Sequence, residues 1–301
     1  MQVVREIVEE LPEAFAVQKI TRLGGLTNVV YHVETDKDDL CVRIPGEGTE
    51  AYINRYNEAR AARETARVGV SAPVLHFDEK SGQCVTKYLA GTVTMSAEAF
   101  NSRQGAPERA GEALRSLHSS DATFNNVFDV FALIDEYLAV LKAKEATVPD
   151  GYHEVLASAE QARAALRKNP VPLAPCHCDP LSENFLDAGD KMWIVDWEYS
   201  GMNDPLWDLG DFSVEANLSQ ENEAALMWSY FGRSPSLSEY GRIVIYKALC
   251  DLVWTLWGLI QHVNDNPADD FWAYAVNRFH RCSRLMATSE YKTAVAAVAQ
   301  N

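Results

Sequence analysis

The sequence predicts an α+β chain in two lobes: a small antiparallel-sheet lobe with one helix over residues 1–90, and a larger, mostly helical lobe over residues 91–301. Three observations carry that expectation. Up to about residue 90 the chain reads as short β-leaning runs closed by turn residues, with one helical segment among them. From residue 105 the pattern becomes helical, in long segments. Between those segments lies a short loop bearing Asp and Asn, followed by an apolar strand. At 301 residues, with 47% hydrophobic and 23% charged residues, the chain can bury a large core and is globular in composition. No internal repeat, low-complexity tract or long linker divides it.

In the first lobe, Val17–Leu23 and Val29–Glu34 are expected strands joined by Gly24-Gly25-Leu26-Thr27-Asn28, and Leu40–Ile44 is a third, closed by Pro45-Gly46. Glu50–Arg67 is an expected helix. Thr49 is placed to cap it, Ile53, Tyr56, Ala59 and Ala62 mark an apolar side, and Gly69 ends it. Val74–Phe77 and Cys84–Leu89 complete the strands, with a turn at Ser81-Gly82. In the second lobe Arg109–Ser119, Phe128–Lys144 and His153–Lys168 are expected helices before the loop. Leu206–Asn217, Asn222–Phe231, Leu237–Val263 and Ala268–Met286 follow it. The apolar stretch from Ile243 to Ile260 carries Lys247 and Asp251 mid-span, both costly in lipid, and reads as a buried helix.

The loop carries the chemistry. Cys176-His177-Cys178-Asp179-Pro180-Leu181-Ser182-Glu183-Asn184 is followed by Trp193-Ile194-Val195-Asp196-Trp197-Glu198-Tyr199. His-x-Asp-x-x-x-x-Asn, a short loop, then an Asp ending an apolar strand is the residue order of a kinase catalytic loop and its metal-binding strand. Transfer of the γ-phosphoryl group of ATP needs a carboxylate to take the proton of the attacking hydroxyl, which suits Asp179. It also needs oxygen ligands for Mg2+, which suits Asn184 and Asp196. Pro180 disfavours the α conformation at Asp179 and keeps that carboxylate on a loop. An Asp before Pro and an Asn before an apolar run are also ordinary turn residues. Their coupling to Ile194-Val195-Asp196 is what points to phosphoryl transfer. A small sheet lobe, then a helical lobe whose second half opens on this loop, is a protein-kinase-like order of elements.

On that reading the first lobe binds the nucleotide and the second holds the catalytic and acceptor-binding residues. Gly24, Gly25, Thr27 and Asn28 lie between the first two strands, where glycines let backbone N–H groups approach a phosphate; Gly-Gly there is also a plain hairpin turn. Arg43, on the third strand, stands where protein kinases place a phosphate-contacting Lys, and Glu58, mid-helix, is placed to pair with it. Arg keeps its charge and forks better than Lys, so phosphate binding survives the change. Lys87, Tyr88 and Leu89 end the small lobe and form the expected hinge against adenine.

The net charge of −16 argues against nucleic acid or an anionic membrane surface as partner and favours a cationic small molecule. Cys176-His177-Cys178 raises a zinc site, but a structural site takes four ligands, often from paired knuckles, and no second knuckle exists. Nothing marks either thiol as an activated nucleophile. The six cysteines are scattered, and Met1-Gln2-Val3-Val4-Arg5-Glu6 lacks a basic stretch leading into an apolar core. Reduced thiols, no secretion signal, a cytoplasmic location and no stable membrane association are therefore expected.

These motifs resemble those of choline/ethanolamine kinases, particularly the bacterial type, within the aminoglycoside phosphotransferase and protein-kinase-like group. The resemblance runs from Gly24 to about Phe279. It rests on Gly24-Gly25-Leu26-Thr27-Asn28, Val42-Arg43-Ile44, His177-x-Asp179 with Asn184, Asp196-Trp197-Glu198-Tyr199, Asp208-Leu209-Gly210 and Trp254-Thr255-Leu256-Trp257-Gly258. It implies ATP- and Mg2+-dependent phosphorylation of the hydroxyl of choline or ethanolamine, an Arg at position 43, and a carboxylate, Glu215, near the substrate ammonium. It also implies a structural Asp208 that accepts hydrogen bonds from the loop backbone, although capping its own helix is an equally simple reading. His177 is expected to organise the loop. Cys178 departs from the Asn usual in that family between the His and the Asp, and is expected to tune loop packing.

Choline carries a fixed positive charge that cannot be hydrogen-bonded, and aromatic faces stabilise such a cation by about 2 kcal/mol when desolvated. Trp254 and Trp257 are three apart and share a helix face, and Tyr199 follows the metal strand. The same spacing also suits plain core residues. Competing readings are a kinase for another cationic hydroxylated molecule, such as an aminoglycoside or a thiamine-like alcohol, and a catalytically inactive nucleotide-binding regulatory module. Intact Asp179, Asn184 and Asp196 speak against the last. The sequence specifies neither a monomer nor a dimer.

Overall fold

The computed structural model describes residues 1–24, 28–46, 48–49 and 53–300. Gly25 and Thr27, expected in the phosphate loop, and Glu50, the expected start of the helix, lie outside these residues.

A short helix, α1 (Gln2–Glu9), precedes the sheet. Strands β1 (Val17–Arg22), β2 (Val29–Thr35), β3 (Leu40–Ile44), β4 (Val74–Phe77) and β5 (Cys84–Lys87) form an antiparallel five-stranded sheet in the order β1-β2-β3-β5-β4. Its register pairs Val30 with Arg43 and Arg43 with Cys84, while Val42 pairs with Tyr31 and Val85. Directly opposed residues share a face, so Arg43 looks to one side of the sheet and Val42 to the other. The Val42 side is closed by α1, whose Val4, Ile7 and Val8 pack on Val33, Leu40 and Val85. The sheet lobe thus carries a helix beyond the one expected, held by a stripe at three- and four-residue spacing.

The Arg43 side faces α2 (Arg55–Arg67), which starts five residues later than expected from Glu50. Its cap is Asn54, whose side chain accepts the Asn57 N–H. Thr49 instead turns its hydroxyl onto the Gly46 carbonyl at 2.8 Å.

In the helical lobe, β6 (Val93–Thr94), α3 (Ala97–Ser102), α4 (Ala106–His118), α5 (Val130–Ala143) and α6 (Tyr152–Lys168) lead to β7 (Ala174–Cys176). Beyond the loop, β8 (Phe185–Asp187) pairs with β6 on one side and β9 (Met192–Ile194) on the other, and β10 (Gly201–Asn203) returns to pair with β7. The helices α7 (Leu206–Glu215), α8 (Gln220–Phe231), α9 (Leu237–Val263), α10 (Phe271–Ala287) and α11 (Ser289–Gln300) complete the lobe. The small strands, α3 and α11 are additional to the expected elements, being short or weakly patterned.

The core beneath the loop is aromatic. Phe100, Phe185 and Phe212 are fully buried, with ring centroids 4.7–5.7 Å apart, and Trp207, also buried, packs on Phe128 and Tyr246 and donates its Nε1–H to the Cys178 carbonyl at 3.2 Å. Such rings dominate core energetics, at roughly 2–3 kcal/mol each for burial alone. α9 is long and apolar enough to cross a membrane, yet 78% of its most apolar stretch is buried inside the protein. Its mid-span charges are paired, Lys247 with Glu223 and Asp251 with Arg281. Two glycines let its neighbours approach. A Cβ on Gly210 of α7 would lie 2.9 Å from the Ile243 carbonyl oxygen, and one on Gly258 of α9 would lie 2.8 Å from Tyr274 Cδ1 of α10.

Candidate active site

The loop after β7 is held by Asp208 in the first turn of α7. Its Oδ2 accepts the His177 N–H at 2.7 Å, its Oδ1 accepts the Cys178 N–H at 2.9 Å, and His118 Nε2 lies 3.0 Å from Oδ2. Asp208 is fully buried, and a buried carboxylate is tolerated only with such donors. The first free N–H of α7, that of Leu206, goes to Asp204 Oδ1, so Asp208 serves the loop rather than the cap. His177 uses both ring nitrogens: Nε2 lies 2.9 Å from the Val195 carbonyl oxygen, and Nδ1 accepts the Asp179 N–H at 3.3 Å. That pattern assigns the proton to Nε2. Burial holds the ring below its usual pKa, hence neutral.

Two non-glycine residues here take left-handed backbone: Cys178 at φ 69° and Asp196 at φ 68°. Such conformations are uncommon and concentrate at functional sites. Cys178 packs its Sγ 3.7–3.9 Å from the carbonyls of Cys176 and Gly201 and from the Asn203 amide. Burial pushes the Cys176 and Cys178 thiols well above their usual pKa, which leaves them poor metal ligands and poor nucleophiles.

Asp179, Asn184 and Asp196 come together as one group. Asn184 Nδ2 donates to the Asp179 carbonyl at 3.2 Å, and the Val195 N–H donates to the Asn184 carbonyl at 2.9 Å, which places Asp196 beside them. Asp179 Oδ1 is buried with no hydrogen-bond partner among the described residues. Burial first, then the charges of Glu215, Asp196 and Glu198, push the Asp179 carboxyl up to about 8, against a smaller downward pull from Arg278. An unpartnered carboxylate oxygen with raised basicity can take a proton from a hydroxyl placed against it.

On the sheet-lobe side, Arg43 Nη1 donates to Asp196 Oδ1 at 3.0 Å and to Glu198 Oε1 at 3.4 Å, while its Nη2 pairs with Glu58. Burial lowers the Arg43 pKa, but Asp196 and Glu58 outweigh it and the guanidinium stays charged. Arg55, absent from the expected set, braces the same carboxylates with Nη1 at 2.7 Å from both Glu58 Oε2 and Glu198 Oε1. Its signal was the three-residue spacing to Glu58 on one helix face. Asn28 Nδ2 reaches Asp196 Oδ2 at 3.4 Å, so this end of the glycine loop meets the metal strand. Oxygens of Glu58, Asp196 and Glu198 lie within 4.8 Å of one another. These hard carboxylate oxygens, here paired with Arg43 and Arg55, are of the type that fits Mg2+. Glu198 joins this group without having been expected in it; its signal is its place two residues after Asp196.

The hinge is less committed to side-chain chemistry. Lys87 turns its Nζ out to Asp38 at 2.9 Å and does not join the cluster. Tyr88 stacks on His32 with ring centroids 3.8 Å apart. The N–H groups of Lys87 and Tyr88 go to the carbonyls of Pro73 and Asp39.

Beyond Asp179 lies an aromatic group. Trp254 and Trp257 meet edge-to-face at 5.9 Å, and Trp257 also meets Phe271 at 5.4 Å and Tyr274 at 5.8 Å. Both indoles are half-buried, and Trp254 Nε1 has no partner among the described residues. Tyr199 is half-buried beyond the metal strand. Phe271 and Tyr274 had no signal beyond their place on the following helix. Glu215 is engaged: Arg278 grips it with both terminal nitrogens, Nη2 to Oε2 at 2.9 Å.

Known proteins resemble this chain along most of its length. The sequence profile of the phosphotransferase enzyme family matches residues 19–234. Protein LicA of Haemophilus influenzae is 30% identical over 271 residues, covering 88% of this chain and 78% of its own length. The crystal structure of a choline/ethanolamine kinase family protein from Mesorhizobium loti superposes with a TM-score of 0.93 at 55% identity, covering 100% of this chain and 99% of that one. That of the choline kinase LicA from Streptococcus pneumoniae superposes with a TM-score of 0.77 at 27% identity, covering 95% and 98%. Its fold and these relatives together place the chain in the phosphotransferase enzyme family, as a small-molecule kinase of the choline/ethanolamine kinase group.

Proposed function

We propose that this kinase transfers the γ-phosphoryl group of ATP to the hydroxyl of choline, giving phosphocholine and ADP. One observation carries the reading: the Asp179 carboxylate, whose Oδ1 has no partner among the described residues, feels both Asp196 of the metal-capable cluster and Glu215 beside the aromatic group. It therefore stands between a place for phosphates and a place for an organic cation.

The roles follow from the contacts. Asp179 takes the proton as the choline oxygen attacks phosphorus, and ADP leaves with the electrons of the broken P–O bond. Asn184, Asp196 and Glu198 hold Mg2+, which when bound neutralises phosphate charge. Arg43, fixed by Glu58, offers its guanidinium to the phosphates, and Asn28 holds Asp196 beside it. The Leu89 amide, next along the hinge from two amides already engaged, is the donor for adenine. Trp254, Trp257, Tyr274 and Tyr199 offer faces to the trimethylammonium group. Residues 1–90 thus serve the nucleotide and 91–301 the acceptor. The six cysteines, all free, suit a reducing cytoplasm.

ADP release with choline, ethanolamine and kanamycin offered separately tests the proposal. Release dependent on choline, and absent with kanamycin, is expected. Release with kanamycin alone would return the site to the aminoglycoside reading, and no release with any of them would favour an inactive nucleotide-binding module.

A further inference from the structure

The chain leaving β5 carries one uncommitted backbone donor. From Lys87 to Ala90, three N–H groups are engaged: Lys87 with the Pro73 carbonyl and Tyr88 with the Asp39 carbonyl, each at 2.9 Å, and Ala90 with the Tyr88 carbonyl at 3.2 Å. Among the described residues, the Leu89 N–H alone of these four has no backbone partner. The Leu89 carbonyl is taken by the Thr92 hydroxyl at 2.8 Å. A peptide unit is planar, so the direction of the Leu89 N–H is that of the 88–89 peptide as a whole. Whatever fixes Tyr88 therefore aims this donor.

Tyr88 is held by a closed circuit of three contacts. Its N–H donates to the Asp39 carbonyl, the Asp39 Oδ2 lies 2.8 Å from His32 Nε2, and the His32 ring stacks on the Tyr88 ring with centroids 3.8 Å and planes 16° apart. The register puts this circuit on the Arg43 side of the sheet: His32 pairs with Cys41 as Val30 pairs with Arg43, and alternate residues of a strand share a face. Strands β2 and β5 flank β3, so the stack ties the chain after β5 to β2 across the intervening strand. We infer that His32 is a positioning residue for the nucleotide base: stacked on Tyr88 and held by Asp39, it fixes the 88–89 peptide and aims the Leu89 N–H at the edge of a purine. Adenine meets that donor with N1, an acceptor. Guanine in the same orientation brings an N1–H, and two donors face to face leave each other unsatisfied. His32 thus serves both affinity for ATP and its discrimination from GTP. The inference rests on the proposed hinge and goes beyond it by naming what fixes it.

The test is the Kd of ADP, measured by calorimetry in wild type and His32→Ala, beside kcat, KM and Tm. In His32→Ala, ADP binding and the KM for ATP are expected to weaken by roughly three- to tenfold, the worth of one aromatic stack. The kcat at saturating ATP and the KM for choline should not move, and the kcat/KM preference for ATP over GTP should shrink. His32→Phe, which keeps a ring on Tyr88, should recover most of the affinity; a phenylalanine variant no better than alanine would count against the role. Unchanged ADP affinity, an unchanged ATP-to-GTP preference, or ADP and choline use lost together with a lower Tm would overturn the inference and leave His32 a fastener of the turn between β2 and β3. If the alanine variant does not fold, Asp39→Ala removes the anchor at a side chain 42% exposed. It should weaken ADP binding in the same direction, and ADP binding as in wild type would overturn the role. A wild type that binds no ADP defeats the hinge reading itself, which is a different outcome from an affinity that His32 does not govern.

Discussion

Arg43 of β3 donates to Asp196, just beyond β9, at 3.0 Å, joining the sheet lobe directly to the metal-capable end of the helical lobe. One guanidinium is shared by Glu58, Asp196 and Glu198, and Arg55 braces two of the three from the other side. Cations of the protein itself thus hold these carboxylates close together, in the place where a divalent ion and phosphates would enter.

Asp196→Ala is expected to abolish Mg2+-dependent turnover, because it removes a charged oxygen from the metal-capable group and the anchor of Arg43. Turnover measured across a Mg2+ titration checks this. Activity at wild-type Mg2+ concentrations would make Asp196 a strand-end residue only.

Asp179→Asn should reduce turnover by roughly 10²–10⁴ while leaving nucleotide binding and Tm nearly unchanged. In the wild type, the base acts in its deprotonated form, and its carboxyl is pushed up to about 8 before substrates bind. The kcat/KM profile should therefore fall as pH drops from about 8, and added Mg2+, a positive charge nearby, should move that limb to lower pH. A limb at the ordinary carboxylate value, near 4, would contradict the crowding of carboxylates around Asp179.

Trp257→Ala should weaken choline use far more than ATP use, by roughly thirty-fold in kcat/KM for the loss of one desolvated aromatic face. Trp257→Phe should recover part of it. If Trp257 only fills space among Trp254, Phe271 and Tyr274, truncation instead costs about 3–5 kcal/mol of stability and impairs both substrates together.

Asp187, at the end of β8, tests the scaffold beneath the loop. It is fully buried and held by Arg109 and Arg103. Burial alone would raise its carboxyl, but those two arginines and the Gly189 N–H outweigh it and lower it to about 2. A depressed carboxylate stabilises the fold above its unfolded value near 4, by roughly 2 kcal/mol, and loses that contribution as pH falls through about 2. Asp187→Asn should therefore unfold more easily than wild type at pH 7, with the difference closing toward pH 2. Thermal unfolding at both ends of that range measures it.

Much of this site was legible because phosphoryl transfer demands fixed residue types at fixed spacings. His177, Asp179, Asn184 and Asp196 stand within twenty residues of one another, and the strand between them is apolar. Arg43 and Glu58 were legible from their order along the lobe. What the sequence hid is what depends on tertiary approach. Nothing local marks Arg278 as the partner of Glu215, sixty-three residues away. Nor does anything local mark the His118 contact to Asp208. The late start of α2 was hidden for a similar reason: Thr49 and Asn54 are both fair caps, and tertiary contacts chose between them, with Thr49 drawn into the Arg55 side chain. The helix α1 was missed because eight residues give little periodicity to read.

The most direct test of the central claim is phosphorus NMR of a reaction containing the protein, Mg2+, ATP and choline. The account predicts a new resonance co-migrating with authentic phosphocholine, growing in step with ADP and absent in Asp179→Asn. ADP and inorganic phosphate appearing without phosphocholine, or phosphocholine forming at the same rate in Asp179→Asn, would contradict it.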